Sequence, residues 1–441
     1  MFRVRNLPCV LLAFLGLPGG AAAQDAPLRI TLPEAISRAE RESLRLAELR
    51  ARVDSARAVE AGAEAADRPL VALLAGYTRT NHVDEFALAV PNQPLRVLYP
   101  DVPDNYRSRI DLQWPIYTAG RTRALTAAAG AEREAIGFDL AASRADIRLD
   151  AVRAFWALVT AIETEDVLTR ALASIDAHVR DLESRLDQGF IPPNDVLSAE
   201  AQRSRQRLTA IEARHRRAIA EADLRRAIGE DTARRIEPVI PPDLPAPVPG
   251  DGADLAREAV EQRPERRALA ARTDAAAQRE AAIAAGARPQ VALGTGYDYA
   301  RPNPRIFPRL DAWRHAWDVS VSLSWSMWDS GRRRAEQAEA GAMRRALAAR
   351  AADFDRQLVF EVEQRRLEVA SAEAAIGTAE DGVRAAVEAR RVLGERFAAG
   401  VATSAEVLDA ETAVLLAELD RTRAIATLRL AVATLERALG R

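Results

Sequence analysis

The run LQWPIYTAGR, Leu112 to Arg121, returns as LSWSMWDSGR, Leu323 to Arg332, at an offset of 211 residues. At the same offset Arg185, Gly189, Val196, Leu197, Ala199 and Glu200 meet Arg396, Gly400, Val407, Leu408, Ala410 and Glu411. Upstream the offset is 220, where Arg68-Pro69, Ala72-Leu73 and Gly76-Tyr77 match Arg288-Pro289, Ala292-Leu293 and Gly296-Tyr297. The 441-residue chain is therefore a duplication. Each copy is far longer than a solenoid or propeller repeat, and each reads helix, strand, strand, long helix, helix.

The quoted runs end strands. Ile110, Leu112, Trp114 and Ile116 alternate with Asp111, Gln113, Pro115 and Tyr117, and Val319, Val321, Leu323, Trp325 and Met327 alternate with Ser320, Ser322, Ser324 and Ser326. A period of two marks strands with one apolar face. The first copy, 24–236, is expected to hold strands at about 69–88 and 106–118; the second, 253–441, strands at about 289–300 and 314–329.

Downstream of each run the period becomes helical. Between Gly120 and Gly189 there is no proline, and Gly130 and Gly137 are the only interruptions, so about 67 residues can form one helix roughly 100 Å long. Leu168, Leu172, Ile175, Val179, Leu182 and Leu186 recur at alternating spacings of four and three, the rhythm of a coiled-coil seam. The chain turns at Gly189 to Pro193 and returns, giving a hairpin over 120–230. Its duplicate spans 331–440 and turns at Gly400, with Val401, Ala405, Leu408, Thr412, Leu415 and Leu419 as the matching seam. Ahead of the strands, Thr31 to Asp67 predicts one helix of about 35 residues, capped by Thr31 with Pro33 in its first turn. Residues 237–252, rich in proline, read as a stiff linker between the copies.

Residues 1–23 read as a secretory signal: Arg3 and Arg5, an apolar stretch from Leu7 to Leu17, then Ala21-Ala22-Ala23. The apolar stretch is too short for a membrane span. Cys9 falls inside it, so the mature chain is expected to lack disulfides, thiolate metal sites and a lipid-modified cysteine. Loss of two arginines changes the balance from 62 − 64 to 60 − 64, a mature net charge of −4. That excludes a basic nucleic-acid footprint. His82, His178, His215 and His315 have no metal-ligand spacing and read as solvated surface. No zincin, nucleophile-elbow or phosphate-loop string occurs, so neither catalytic residues nor a cofactor or metal is expected.

A polar row opposite an apolar one suits a solvent-facing sheet or a membrane barrel with a watery lumen. Trp313 and Trp325 share parity and lie twelve residues apart. At about 3.3 Å per residue and 35 to 45° of tilt they stand about 30 Å apart along a barrel axis, one hydrocarbon thickness. Trp114, Trp313 and Trp325 are thus candidates for a lipid-facing aromatic belt. Four strands cannot close a barrel, and an open edge is not tolerated in lipid, so several chains must assemble.

With these features the sequence resembles the TolC-like outer membrane efflux proteins along essentially its whole mature length. LQWPIYTAGR and LSWSMWDSGR look like that family's strand-to-helix junction, and RLDQGFIPPNDVLSAE and RFAAGVATSAEVLDAE look like its hairpin tips. The resemblance implies a mixed α and β membrane protein: a homotrimer with a twelve-stranded barrel in the outer membrane and a coiled-coil tunnel in the periplasm. It implies partners as well, a periplasmic adaptor and an inner-membrane pump or ABC transporter. Gly189 and Gly400 would be adaptor-docking positions, and Asp195, Glu406 and Asp409 the carboxylates of a channel gate. Residue chemistry alone gives other roles to these groups, helix C-caps for the glycines and macrodipole partners for the acids. The sequence departs from the family pattern at Leu44, where a proline equivalent to Pro264 is expected, at Ala402, where some relatives carry a basic latch, and in lacking a lipid-accepting cysteine. A soluble periplasmic coiled-coil scaffold is the competing function; an exported hydrolase has almost no support.

Overall fold

The computed structural model describes residues 27–92, 94–230, 234–241, 243–245 and 250–441. The expected signal peptide and part of the expected linker lie outside these residues. In chain order the elements are β1 (Leu28–Ile30), α1 (Leu32–Glu42), α2 (Leu44–Ala65), β2 (Leu70–Arg79), β3 (Phe86–Leu88), β4 (Arg96–Tyr99), β5 (Asp104–Tyr117), α3 (Arg121–Asp187), α4 (Pro193–Ile228), β6 (Ile236–Pro238), α5 (Gly252–Gln262), α6 (Pro264–Ala285), β7 (Gln290–Arg301), β8 (Arg314–Ser324), α7 (Arg332–Ala398) and α8 (Ser404–Leu439). The chain divides into two compact units, and α3, α7 and α8 contribute residues to both.

Helix α1 starts with a complete capping box, in which the Thr31 hydroxyl accepts from the Glu34 N–H while the Glu34 carboxylate accepts from the Thr31 N–H. The single 35-residue helix read from the sequence is broken at Ser43, which is extended at φ −66°, ψ 113°. In the second copy Arg263 breaks the chain alike, at φ −58°, ψ 121°. There Pro264 follows, and a residue before proline is driven out of the helical region. In the first copy Leu44 exerts no such pressure; Ala35 and Ala39 before the break and Leu46 and Ala56 after it are buried.

In the first unit, β1 pairs in parallel with β6, Leu28 opposite Ile236. They cover a core of Ile30, Phe155, Leu158, Val159, Leu224 and Ile228. Burial of this apolar surface is the main stabilising term. A separate core joins the two hairpin tips: Ile175, Val179 and Leu182 of α3, Val196 and Ala199 of α4, Phe397 of α7 and Val407 of α8. The first seam is buried at Leu168, Ile175, Val179 and Leu182 and partly covered at Leu172 and Leu186. In the second, α8 buries Ser404, Val407, Ala410 and Val414, and leaves Ala405 exposed and Leu408, Thr412, Leu415 and Leu419 only partly covered.

The second unit is built on one antiparallel sheet in the order β2-β5-β7-β8. β5 and β7 pair across the duplication, Ile110 opposite Tyr297. β2 stops at Arg79, short of the expected 88, and the small β3–β4 hairpin follows; β8 stops at Ser324, short of 329. Each strand reaches its helix through two residues of positive φ, Ala119-Gly120 and Ser330-Gly331. Gly at the second position takes up that conformation without a Cβ penalty, and it is why the quoted runs end in A-G-R and S-G-R.

Candidate functional site

Register sorts the sheet into two chemically opposite faces. One carries Val71 and Leu73 of β2, Ile110, Leu112 and Trp114 of β5, Leu293 and Tyr297 of β7, and Trp317, Val319, Val321 and Leu323 of β8. This apolar face is uncovered, with Trp317 71% and Leu323 68% exposed. The opposite face carries Arg107, Arg109 and Asp111 of β5, Asp298 of β7 and Asp318, Ser320 and Ser322 of β8.

Aromatic side chains mark both ends of the apolar face. At one end Trp313 packs on Tyr299 at 4.9 Å and on Tyr106 at 5.9 Å, and Tyr106 packs on Tyr77 at 5.0 Å. At the other end the Trp114 indole donates to the Asp67 carbonyl at 3.1 Å, and the Trp325 indole to the Ala287 carbonyl at 3.0 Å. The two acceptors are duplicates at the 220 offset, so one anchoring bond occurs twice. The three tyrosines were not singled out in the sequence, although Tyr106 continues the parity of Trp114.

The polar face holds an ionic lattice that the sequence reading also missed. Arg109 donates to Asp111 at 2.7 Å, to Asp318 at 3.1 and 3.3 Å, and to Asp298, while Arg107 grips Asp298 through two bonds of 2.7 and 3.2 Å. Asp298 is 1% exposed; it survives there as a charge because two guanidiniums satisfy it. The signal available was charge at every second position, Arg107, Arg109 and Asp111.

The hairpin tips repeat one backbone. Gly189, at φ +79°, bonds back to Leu186 while Phe190 bonds back to Arg185; Gly400, at φ +75°, bonds back to Phe397 while Val401 bonds back to Arg396. This is the Schellman C-cap, which needs a left-handed residue. A Cβ at either glycine would meet nothing within 4 Å.

The candidate gate acids sit beside the tip core. Asp195 is in the first turn of α4 and adjoins Val196; Glu406 is in the first turn of α8 and adjoins Val407; Asp409 is exposed on α8. Glu406 closes a capping box, accepting from the Thr403 N–H at 2.7 Å and the Thr403 hydroxyl at 2.9 Å. Those bonds hold its carboxyl below the usual range.

One histidine departs from the sequence reading. His178 is half-buried on α3, its Nε2 3.2 Å from Ser404 Oγ and its ring 5.5 Å from Phe397, while the Arg185 guanidinium lies 4.5 Å over that same phenyl ring. Desolvation pulls its pKa below the ordinary imidazole value.

The outer membrane efflux protein family model matches residues 35–230 and 255–441, one segment for each copy. The chain belongs to the outer membrane efflux protein family. Membership places it in the outer membrane as a transport channel protein of the TolC-like class. Solved structures share the fold: the outer-membrane channel OprN, at 22% identity and TM-score 0.76, covering 93% of this chain and 89% of that one; the outer membrane protein VceC from Vibrio cholerae, at 21% and 0.78, covering 93% and 96%; and the open-state MtrE outer membrane channel from Neisseria gonorrhoeae, at 18% and 0.76, covering 93% and 88%. No curated protein matches the chain. The mixed helical and sheet architecture of this efflux family member is the one its repeats announced.

Proposed function

We propose that the chain is the outer-membrane exit duct of an efflux or type I secretion system. In this reading it is a passive conduit whose energy comes from an inner-membrane pump or ABC transporter reached through a periplasmic adaptor. The observation that carries this reading is the two-faced sheet. A face as apolar and uncovered as that of Trp317 to Leu323 is costly in water and suits lipid, with the aromatic rows as interfacial belts. The Arg, Asp and Ser face behind it then lines water. β2 and β8 end the sheet, and free edges are not viable in lipid. Three copies joined β8 to β2 make twelve strands and leave no edge. The helical hairpins form the periplasmic tunnel. A soluble scaffold has no use for the exposed Trp, Val and Leu series.

Carbonate washing and electrophoresis without heating test the reading together. A duct stays with the outer membrane and runs as a trimer. Release of the protein into the wash as a monomer overturns it.

Within this reading Gly189 and Gly400 leave open backbone at the tips where an adaptor hairpin can approach closely, so Gly400→Trp should abolish transport while the barrel still inserts. Glu406 and Asp409 are three residues apart and share a helix face, and threefold symmetry would gather six such carboxylates, with Asp195 nearby, at the tunnel mouth. The mouth should prefer cations and be blocked by multivalent cations from the periplasmic side. Glu406→Gln keeps the capping box, since Gln also serves at that position, so the double variant with Asp409→Asn removes charge while keeping the fold. Unchanged selectivity and block in planar bilayers would leave the acids as helix-terminus residues only.

A further inference from the structure

The segment joining β7 to β8 leaves the sheet at the end opposite the one where β5 and β8 lead into α3 and α7. It does not extend outward from there. Arg305 forms an ion pair with Asp318 at 2.7 Å, and Asp318 lies four residues inside β8, counted from Arg314. At about 3.3 Å per residue the Arg305 guanidinium reaches back to a point some 13 Å along the polar face from the start of the strand.

Its course is fixed at both ends. Arg301 clasps Asp311 with bonds of 2.7 and 2.9 Å. Asn303, 2% exposed, donates to the Arg314 carbonyl and accepts from the Arg305 N–H at 2.9 Å. Farther along, the Arg309 N–H bonds the Leu98 carbonyl, and its guanidinium reaches the Tyr99 hydroxyl at 2.6 Å. Between segment and sheet lies a cleft of about 680 Å3 whose walls include Arg107, Asp111 and Leu74 on one side and Pro302, Pro304 and Arg309 on the other.

The floor under this segment is closely packed. A Cβ on Gly296 would lie 2.1 Å from Arg109 Nη2, so the guanidinium rests on bare backbone while three carboxylates hold it. Asp318 therefore stays fixed whether or not Arg305 is present.

We propose that residues 302–313 form a strap over the polar face, pinned by Arg305 on Asp318, which narrows the water-filled passage at the end remote from the helices and so limits the size of what leaves. The proposal rests on the duct reading for the word passage; the strap itself does not.

Two measurements separate these layers. Ala300, 1% exposed beside Pro302 in the cleft wall, is replaced by cysteine, and maleimide labelling is followed in the purified full-length protein. Arg305→Ala should speed labelling about two- to fivefold, the range an exposed ion pair supplies, and Arg305→Lys should restore most of the shielding. Equal rates in all three backgrounds overturn the pin. In planar bilayers Arg305→Ala should raise single-channel conductance roughly twofold if this strap is the narrow point. Faster labelling with unchanged conductance overturns the narrowing. A wild-type protein that inserts and passes no current overturns the duct reading, and labelling then still decides the strap.

Discussion

The two hairpin tips have the same backbone and different chemistry. Both close on a glycine Schellman cap with matching bonds, and both send a valine, Val196 or Val407, into one shared core. Yet α8 begins with the Thr403–Glu406 capping box, whereas α4 begins at Pro192, which offers no side-chain cap. Duplication has preserved what the geometry requires. It has released what only tunes stability or charge.

The largest effect should fall where the copies remain equivalent. Leu112→Arg and Leu323→Arg, duplicates on the apolar face, should each cost about 2 to 4 kcal/mol in a membrane-embedded sheet. Heat resistance of the assembled oligomer measures it, and normal assembly of either variant would break the equivalence of the two faces. Next come Gly189→Ala and Gly400→Ala. Nothing crowds either position, so the loss should be the left-handed strain alone, about 1 to 2 kcal/mol at both tips by denaturant unfolding. A loss at one tip only would contradict the shared cap.

Smaller effects should distinguish the copies. Thr403→Ala should cost about 1 kcal/mol, while Pro192→Ala, which removes no capping bond, should be close to neutral in the same assay. The smallest concerns His178. Its folded pKa lies below the ordinary imidazole value of about 6.5, so the unfolded chain binds the proton more readily, and tip stability falls as pH drops below about 6.5. Asp181 and Glu411 soften this loss and Arg185 increases it. Hydrogen exchange around residues 175–182 at pH 5 and pH 8 measures the difference, which should vanish in His178→Gln.

How far the sequence could be read follows from the same contrast. Features imposed by backbone were legible: the strand-to-helix junctions at Gly120 and Gly331, the turns at Gly189 and Gly400, and the alternating parity that put Trp114 and Trp325 on one face. Features decided by packing were not. The break at Ser43 carries no proline to announce it. In α8 the leucines drew the seam onto one stripe, while the tight contact selected the small stripe of Ser404, Val407 and Ala410. The lattice of Arg109 with three aspartates needed strand register, which no single strand contains. The gate role proposed for Asp195, Glu406 and Asp409 came from the family resemblance, whereas the bonds of Glu406 to Thr403 are those of a helix cap.

The pairing of β1 with β6 has a temporal side. Leu28 meets Ile236, a separation of 236 − 28 = 208 residues, and β5 meets β7 only after Arg301 has been made. Loops of that length close slowly, because ordering entropy is spent before the contact returns anything. The first strand meets its partner only at the very end of the first copy, and the sheet cannot be completed by the first copy at all. During synthesis, then, the leading half of the chain stays without its partners and open, the condition a polypeptide needs while it is threaded across one membrane on the way to another.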